Sequence, residues 1–358
     1  MRGSVLHGQD NDFGLRDRIE WVDAAKGIGI LLVVIGHSLG GMIDSSMLSR
    51  SGGSAFVVRC IYVFHMPLFF FLAGMFVPRS AHRTFHDYFL NKASVIVYPY
   101  FLWSVLEGSI QYLASRYTNN HIAASDLPKI ILQPIDQYWF LYTIFLMYMI
   151  YWFVYHRRFS NYEFLIFGLL LYAFEAFGLN IVRWDVFHSF CSFLIYFALG
   201  AKAGETSIFT YLRMLNGVRL LGLAISGYVL IVVAAAVGLS DLPFIHAVFA
   251  VAGTVATIAS AMLLSRSSVW SSFLRILGVY SLEIYVSHTI FSAAARIAMP
   301  KALGYSGPPL HVLVETTVGI GIPLLLAIWG PRIGLPYLFT LSRSRQNTEI
   351  AAVEIPLT

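Results

Sequence analysis

Ten apolar stretches of nearly membrane-spanning length recur along this 358-residue chain, near 22–43, 55–78, 93–114, 137–155, 162–179, 186–203, 217–238, 243–264, 276–298 and 310–330. About 20 apolar residues cross a hydrocarbon core of ~30 Å. In lipid every backbone N–H and C=O must be satisfied within the chain, and no strand-like alternation competes, so each stretch is expected to be helical. The break between the fifth and sixth, Asn180 to Asp185, is short and weakly polar. The expected fold is an all-α, polytopic integral membrane bundle of about ten transmembrane helices. Composition agrees: 58% of residues are hydrophobic, mean hydropathy is +0.70 and only 12% are charged. That is about half the charge fraction of a soluble domain. A soluble enzyme, a disordered chain and a nucleic-acid binder are excluded, despite the net charge of +5.

In a membrane protein a basic excess marks the cytoplasmic loops. With the amino end cytoplasmic, that side collects 17 of the 24 Lys and Arg, and an even number of spans returns the carboxyl end to it. The expected organisation is a cytoplasmic tail over 1–20, a transmembrane domain over 21–330 and a second cytoplasmic tail over 331–358. Met1 to Arg18 contains no apolar run of signal-peptide length, so the first span is expected to be retained. The two cysteines, Cys60 and Cys191, form neither a disulfide framework nor a CxxC pair. No convincing internal repeat is visible.

Ionisable side chains inside spans are costly, and they face cavities or partners. In the first span Lys26 and His37 lie eleven residues apart, three helical turns or about 16 Å, and share a face. Lys26 falls at the cytoplasmic boundary and His37 about halfway across or deeper. Asp44, a further seven residues on, lies near that face and is placed to orient the imidazole from the outer side. Gly27, Gly29, Gly36, Gly40 and Gly41 keep the helix slim for a neighbour or a ligand. The structural alternatives are a buried, hydrogen-bonded imidazole at His37 and a snorkelling anchor at Lys26. In the second span His65 precedes Pro67, which frees a carbonyl in the preceding turn. The ninth span carries Glu283, Ser287 and His288. Pairing between helices is the simpler role for Glu283. Glu107, Glu175, Glu315 and His246 are isolated candidates of lower rank. Tryptophans near span ends, Trp139 among them, fit the interfacial aromatic belt.

Asp23-Ala-Ala-Lys26-Gly27-Ile28-Gly29 leading to Val34-Ile35-Gly36-His37, with Phe64-His65-Met66-Pro67-Leu68-Phe69-Phe70-Phe71-Leu72-Ala73-Gly74, resembles the acyltransferase-3 family of integral membrane O-acyltransferases. The flavour is that of its fucose O-acetylase-like, exopolysaccharide-modifying branch. Tyr98 to Trp103, Trp139-Phe140-Leu141 and Ser281 to His288 extend the likeness over about residues 18–330. It implies a multi-pass protein of the bacterial cytoplasmic (inner) membrane that moves acetyl from cytoplasmic acetyl-CoA to a hydroxyl of an exopolysaccharide, lipid-linked saccharide or similar glycan. Membrane lipids and a polysaccharide-synthesis complex are the other implied partners. By the same likeness His37 is the catalytic histidine and Lys26 its basic partner, where family members often carry Arg. Lys lacks the bidentate fork with which Arg holds phosphate.

A sugar hydroxyl is a poor nucleophile, and imidazole is the side chain whose ordinary pKa suits a base near neutrality. His37 is therefore expected to act as base or acyl carrier. His65 joins it in the catalytic set, polarising the thioester carbonyl or binding sugar. Asp44, Glu283, Ser287 and His288 form the candidate acceptor-binding set, Lys26, Arg79 and Arg83 the set for the CoA phosphates, and no metal is expected. Two other readings use the same residues: a proton-coupled glycan transporter or flippase with His37, His65, Glu283 and His288 as a relay, and an inactive scaffold of a synthesis complex.

Overall fold

A computed structural model describes residues 20–114, 124–304 and 307–341, with side chains at 124–126 and 303 left aside. The amino-terminal tail and most of the carboxyl-terminal tail lie outside the described residues, as does Arg116. All the regular structure among the described residues is helical. In chain order the α-helices are α1 (Glu20–Asp44), α2 (Gly53–Ser80), α3 (Phe85–Lys92), α4 (Tyr98–Leu113), α5 (Trp139–His156), α6 (Asn161–Ala176), α7 (Asp185–Gly204), α8 (Ile208–Met214), α9 (Gly217–Ala236), α10 (Pro243–Leu264), α11 (Ser268–Val279), α12 (Ser281–Leu303) and α13 (Pro308–Trp329).

Among the described residues, eight helical segments are long and apolar enough to cross a membrane, two fewer than the ten expected. The fifth expected span corresponds to α6, whose 16 residues fall short of the usual crossing length. The single span expected over 276–298 is corrected to two helices, because the backbone breaks at Tyr280 between α11 and α12. α12 is long enough, with 23 residues, but carries Glu283, His288, Arg296 and Lys301. The third expected span is longer than its apolar stretch: α3 and α4 run together over Phe85–Leu113 through the π-helical turn Ala93–Val97. Pro99 enters just after that turn, and a residue without an N–H is accommodated by such a local change of hydrogen-bond spacing.

The helices start where local chemistry favours them. Glu20 and Asp23 sit in the first turn of α1, opposite in sign to the positive end of its dipole. Ser160 and Glu163 form a reciprocal capping box on α6, and the Asn216 side chain accepts from the Arg219 N–H at the start of α9. α1 is the hub, packing against α2, α10, α11, α12 and α13, while α2 also packs along α7. Leu221, Ile225, Val229, Val232 and Val233 leave an exposed apolar row on α9, as expected of a lipid-facing helix.

Helix contact at the centre depends on absent side chains. A Cβ on Gly278 would run into the carbonyl of Asp23, and one on Gly27 into that of Leu274, so α1 and α11 meet backbone to backbone. Gly74 of α2 and Gly200 of α7 press in the same reciprocal way on Phe197 and Phe71. Small residues of this kind let membrane helices gain dispersion contact where burial from lipid gives no hydrophobic drive. Gly200→Val is expected to cost about 1–3 kcal/mol or more through overpacking, seen as loss of monodisperse protein and a lower melting midpoint in detergent. Gly222→Ala on α9, where nothing lies within 4 Å, should leave both unchanged.

Candidate functional site

His37 stands on α1 at the wall of a cavity of about 790 Å³, bounded also by Tyr62 of α2, by α4, by the Asp136–Trp139 turn and by one face of α12. Its ring meets that of His288 edge to face, with centroids 5.1 Å apart, and lies 6.3 Å from Tyr62. Tyr62 in turn lies 4.8 Å from His65. The sequence-selected histidines His37, His65 and His288 are thus brought together from three helices. His288 Nδ1 lies 2.8 Å from the Tyr285 carbonyl, and His65 Nδ1 lies 3.0 Å from that of Ile61. A carbonyl can only accept, so each Nδ1 carries the proton and each Nε2 keeps its lone pair in the neutral ring. The Nε2 of His288 is buried without a hydrogen-bond partner.

The slim face of α1 has a specific use here. A Cβ on Gly41 would collide with the guanidinium of Arg296, which lies against α1 one turn beyond His37. Arg296 is held there by Glu315 of α13 at 3.1 Å, and Glu315 is fully buried. Ser292 Oγ donates to the Glu315 carbonyl at 3.0 Å, so α12 and α13 are tied twice. Breaking such a buried pair from one side strands the other charge. Asp44 reaches the same cavity but pairs with Arg50 at 3.7 Å in an exposed position. Glu283 and Ser287 are buried in α12 outside the cavity wall, and the Ser287 hydroxyl donates back to the Glu283 carbonyl at 2.7 Å.

The same cavity is also lined by residues that carry little or no signal in the sequence. Glu107, buried on α4, accepts from Tyr138 Oη at 2.6 Å, Gln137 Nε2 at 2.9 Å and Thr289 Oγ1 at 3.0 Å through one oxygen. Gln111 Nε2 donates at 3.3 Å to the other oxygen and at 2.6 Å to Asp136. Asp136 holds φ at +43°, a left-handed conformation that a non-glycine residue adopts at some cost and one enriched at functional sites. The sequence signal was the i, i+4 pair Glu107 and Gln111, which places two polar groups on one helical face. In sequence Asp136 and Gln137 fall only at the opening of the fourth apolar stretch.

Lys26 lies elsewhere. It lines a second cavity of about 430 Å³, together with Asn91, Lys92, Ser281 and an otherwise mostly apolar wall. Lys26 also pairs with Asp23 at 3.9 Å. The two cavities lie toward opposite ends of α1. Tyr285 connects their walls: it lines the Lys26 cavity, and its hydroxyl donates to the carbonyl of Gln137, a residue of the His37 cavity. Phe140 packs edge to face on that ring at 5.3 Å. Arg79 and Arg83 do not line the Lys26 cavity. The Arg79 guanidinium lies 5.8 Å over the ring of Phe76, which does, and the Arg83 carbonyl accepts from Trp152 Nε1 at 3.1 Å.

Glu107→Ala would leave the Tyr138, Gln137 and Thr289 donors facing an empty space. It is expected to cost about 2–5 kcal/mol, read as a lowered melting midpoint, with Glu107→Gln intermediate.

The sequence profile of the acyltransferase-3 family, described as an acyltransferase domain, matches residues 19–328. No curated protein and no solved structure matches the chain. With most of its length covered, the chain belongs to the acyltransferase-3 family.

Proposed function

We propose that this acyltransferase moves an acetyl or similar acyl group from a CoA thioester, bound on the Lys26 side, to a sugar hydroxyl bound in the cavity beside His37. The observation that carries the reading is the placement of His37: an imidazole inside the bundle, at the wall of a cavity large enough for a saccharide unit, with a second imidazole at ring contact. An acceptor hydroxyl there would lose its proton to His37 as its oxygen attacks the thioester carbonyl. The C–S bond then breaks, and the proton passes to the departing thiolate.

The cavity wall supports a carbohydrate acceptor. Asp136, Gln111, Gln137 and Thr289 offer carboxylate, amide and hydroxyl groups, and Trp139 adds an aromatic face. A site of this kind fixes a polyol through a few directed hydrogen bonds and an apolar surface. The positive-inside count supports cytoplasmic termini, which would place the Lys26 cavity on the side where CoA thioesters are made. A bacterial inner-membrane location and an exopolysaccharide or lipid-linked acceptor complete the reading.

In membranes supplied with radiolabelled acetyl-CoA and the native surface glycan, His37→Ala is expected to reduce label transfer at least 100-fold. Activity near that of wild type would remove His37 from the mechanism. Asp136→Asn should raise the apparent KM for acceptor several-fold while leaving that for acetyl-CoA unchanged, as measured by initial rates at varied glycan.

A further inference from the structure

Lys92 closes α3 within the membrane-spanning segment Phe85–Leu113, and in sequence it reads as one more positive-inside charge at the edge of the third apolar stretch. The fold gives it a different setting. Its ammonium lies 3.7 Å over the ring of Tyr148 and 5.6 Å from that of Tyr88, half-buried, with no carboxylate at salt-bridge distance among the described residues. It faces the same 430 Å³ cavity as Lys26, and that cavity has no Asp or Glu in its wall. Arg83 is near enough to act on Lys92 electrostatically, and Arg79 lies beside Phe76 of the cavity wall. Positive charge therefore converges on an apolar slot. Asp23 answers Lys26, whereas Lys92 is met by aromatic faces, which replace only part of the water it has lost.

Resting on the acyltransferase reading above, we infer that Lys92 is a donor-specificity residue that binds a phosphate of a CoA-type thioester in the Lys26 cavity. The slot asks for a ligand that is anionic at one end and tolerant of apolar walls along its length. A phosphate anchored at Lys92 and Lys26 leaves the pantetheine arm to run along Phe69, Phe140 and Leu282 to Tyr285, which lines the same cavity and whose ring lies 6.2 Å from that of His288. The rise from Lys26 to His37, about 16 Å along α1, is a length that an extended pantetheine arm can bridge. Arg79 and Arg83 then act at longer range, drawing the donor toward the slot.

The test uses the full-length protein in nanodiscs of phosphatidylcholine and compares binding of CoA with binding of pantetheine, which has the same arm without phosphates, by titration calorimetry. Wild type is expected to hold CoA more tightly than pantetheine. Lys92→Met, which keeps the apolar stem on Tyr148, should weaken CoA about tenfold, within the range of a lost charge-assisted hydrogen bond, and leave pantetheine unchanged. Lys92→Arg should restore most of the loss. Equal affinities of wild type for the two ligands, a comparison that needs no variant to fold, would overturn the inference while the thioester reading stands. So would a Lys92→Met protein with CoA affinity intact. Binding of neither ligand by wild type would bring down the CoA-donor reading together with the inference. An anionic lipid headgroup offers the same chemistry, so native mass spectrometry with added phosphatidylglycerol forms a second arm: loss of retained lipid in Lys92→Met, with CoA binding intact, would assign the phosphate to lipid and also overturn the proposal.

Discussion

Everything at the centre of this molecule follows from how closely other helices can approach α1. The reciprocal contacts of Gly27 with Leu274 and of Gly278 with Asp23 bring two backbones together where a single methyl group would force them apart. With α11 fixed there, the chain turns at Tyr280 and sends α12 past His37, setting Thr289 and Arg296 along one wall and the His288 ring against that of His37. Gly41 repeats the device near the other end of α1, admitting the Arg296 guanidinium. Small residues give these helices a dispersion-driven contact where lipid offers no hydrophobic gain. The cost of placing ionisable groups inside the bundle is offset by pairing, as in Arg296 with Glu315 and in the four donors around Glu107.

Much of the architecture was legible in the sequence because lipid enforces a simple rule. A run of apolar residues must be helical and must be about long enough to cross, so helix order and most boundaries follow from hydropathy alone. What hydropathy could not supply was the break at Tyr280. Val279, Tyr280 and Ser281 sit in a locally apolar run, and the turn there follows directly on the residue, Gly278, that packs against the α1 backbone. The shortness of α6 was only hinted at, by the weak polar break around Asn180.

The site was legible in proportion to how unusual each residue is in lipid. His37, His65 and His288 stand out as intramembrane imidazoles, and the fold gathers them. Glu107 was visible but isolated, since its partners Tyr138, Gln137 and Thr289 arrive from thirty or more positions away in sequence. Lys92 was masked by its own ordinariness, because a lysine at a span end is the commonest feature of a cytoplasmic loop. Only the geometry shows that the Tyr148 ring, and not an acid, is its neighbour.

Tyr285 has a consequence beyond the chemistry. A cavity near each end of α1 would, if joined, make a polar pore through the hydrocarbon layer, and any cell that maintains an ion gradient would lose current through it. The phenol of Tyr285, bonded to the Gln137 carbonyl and flanked by Phe140, links the wall of one cavity to that of the other. On the proposed reading, an acyl group passing from one cavity to the other calls for side-chain motion around this ring, not for the large alternating-access swing of a transporter.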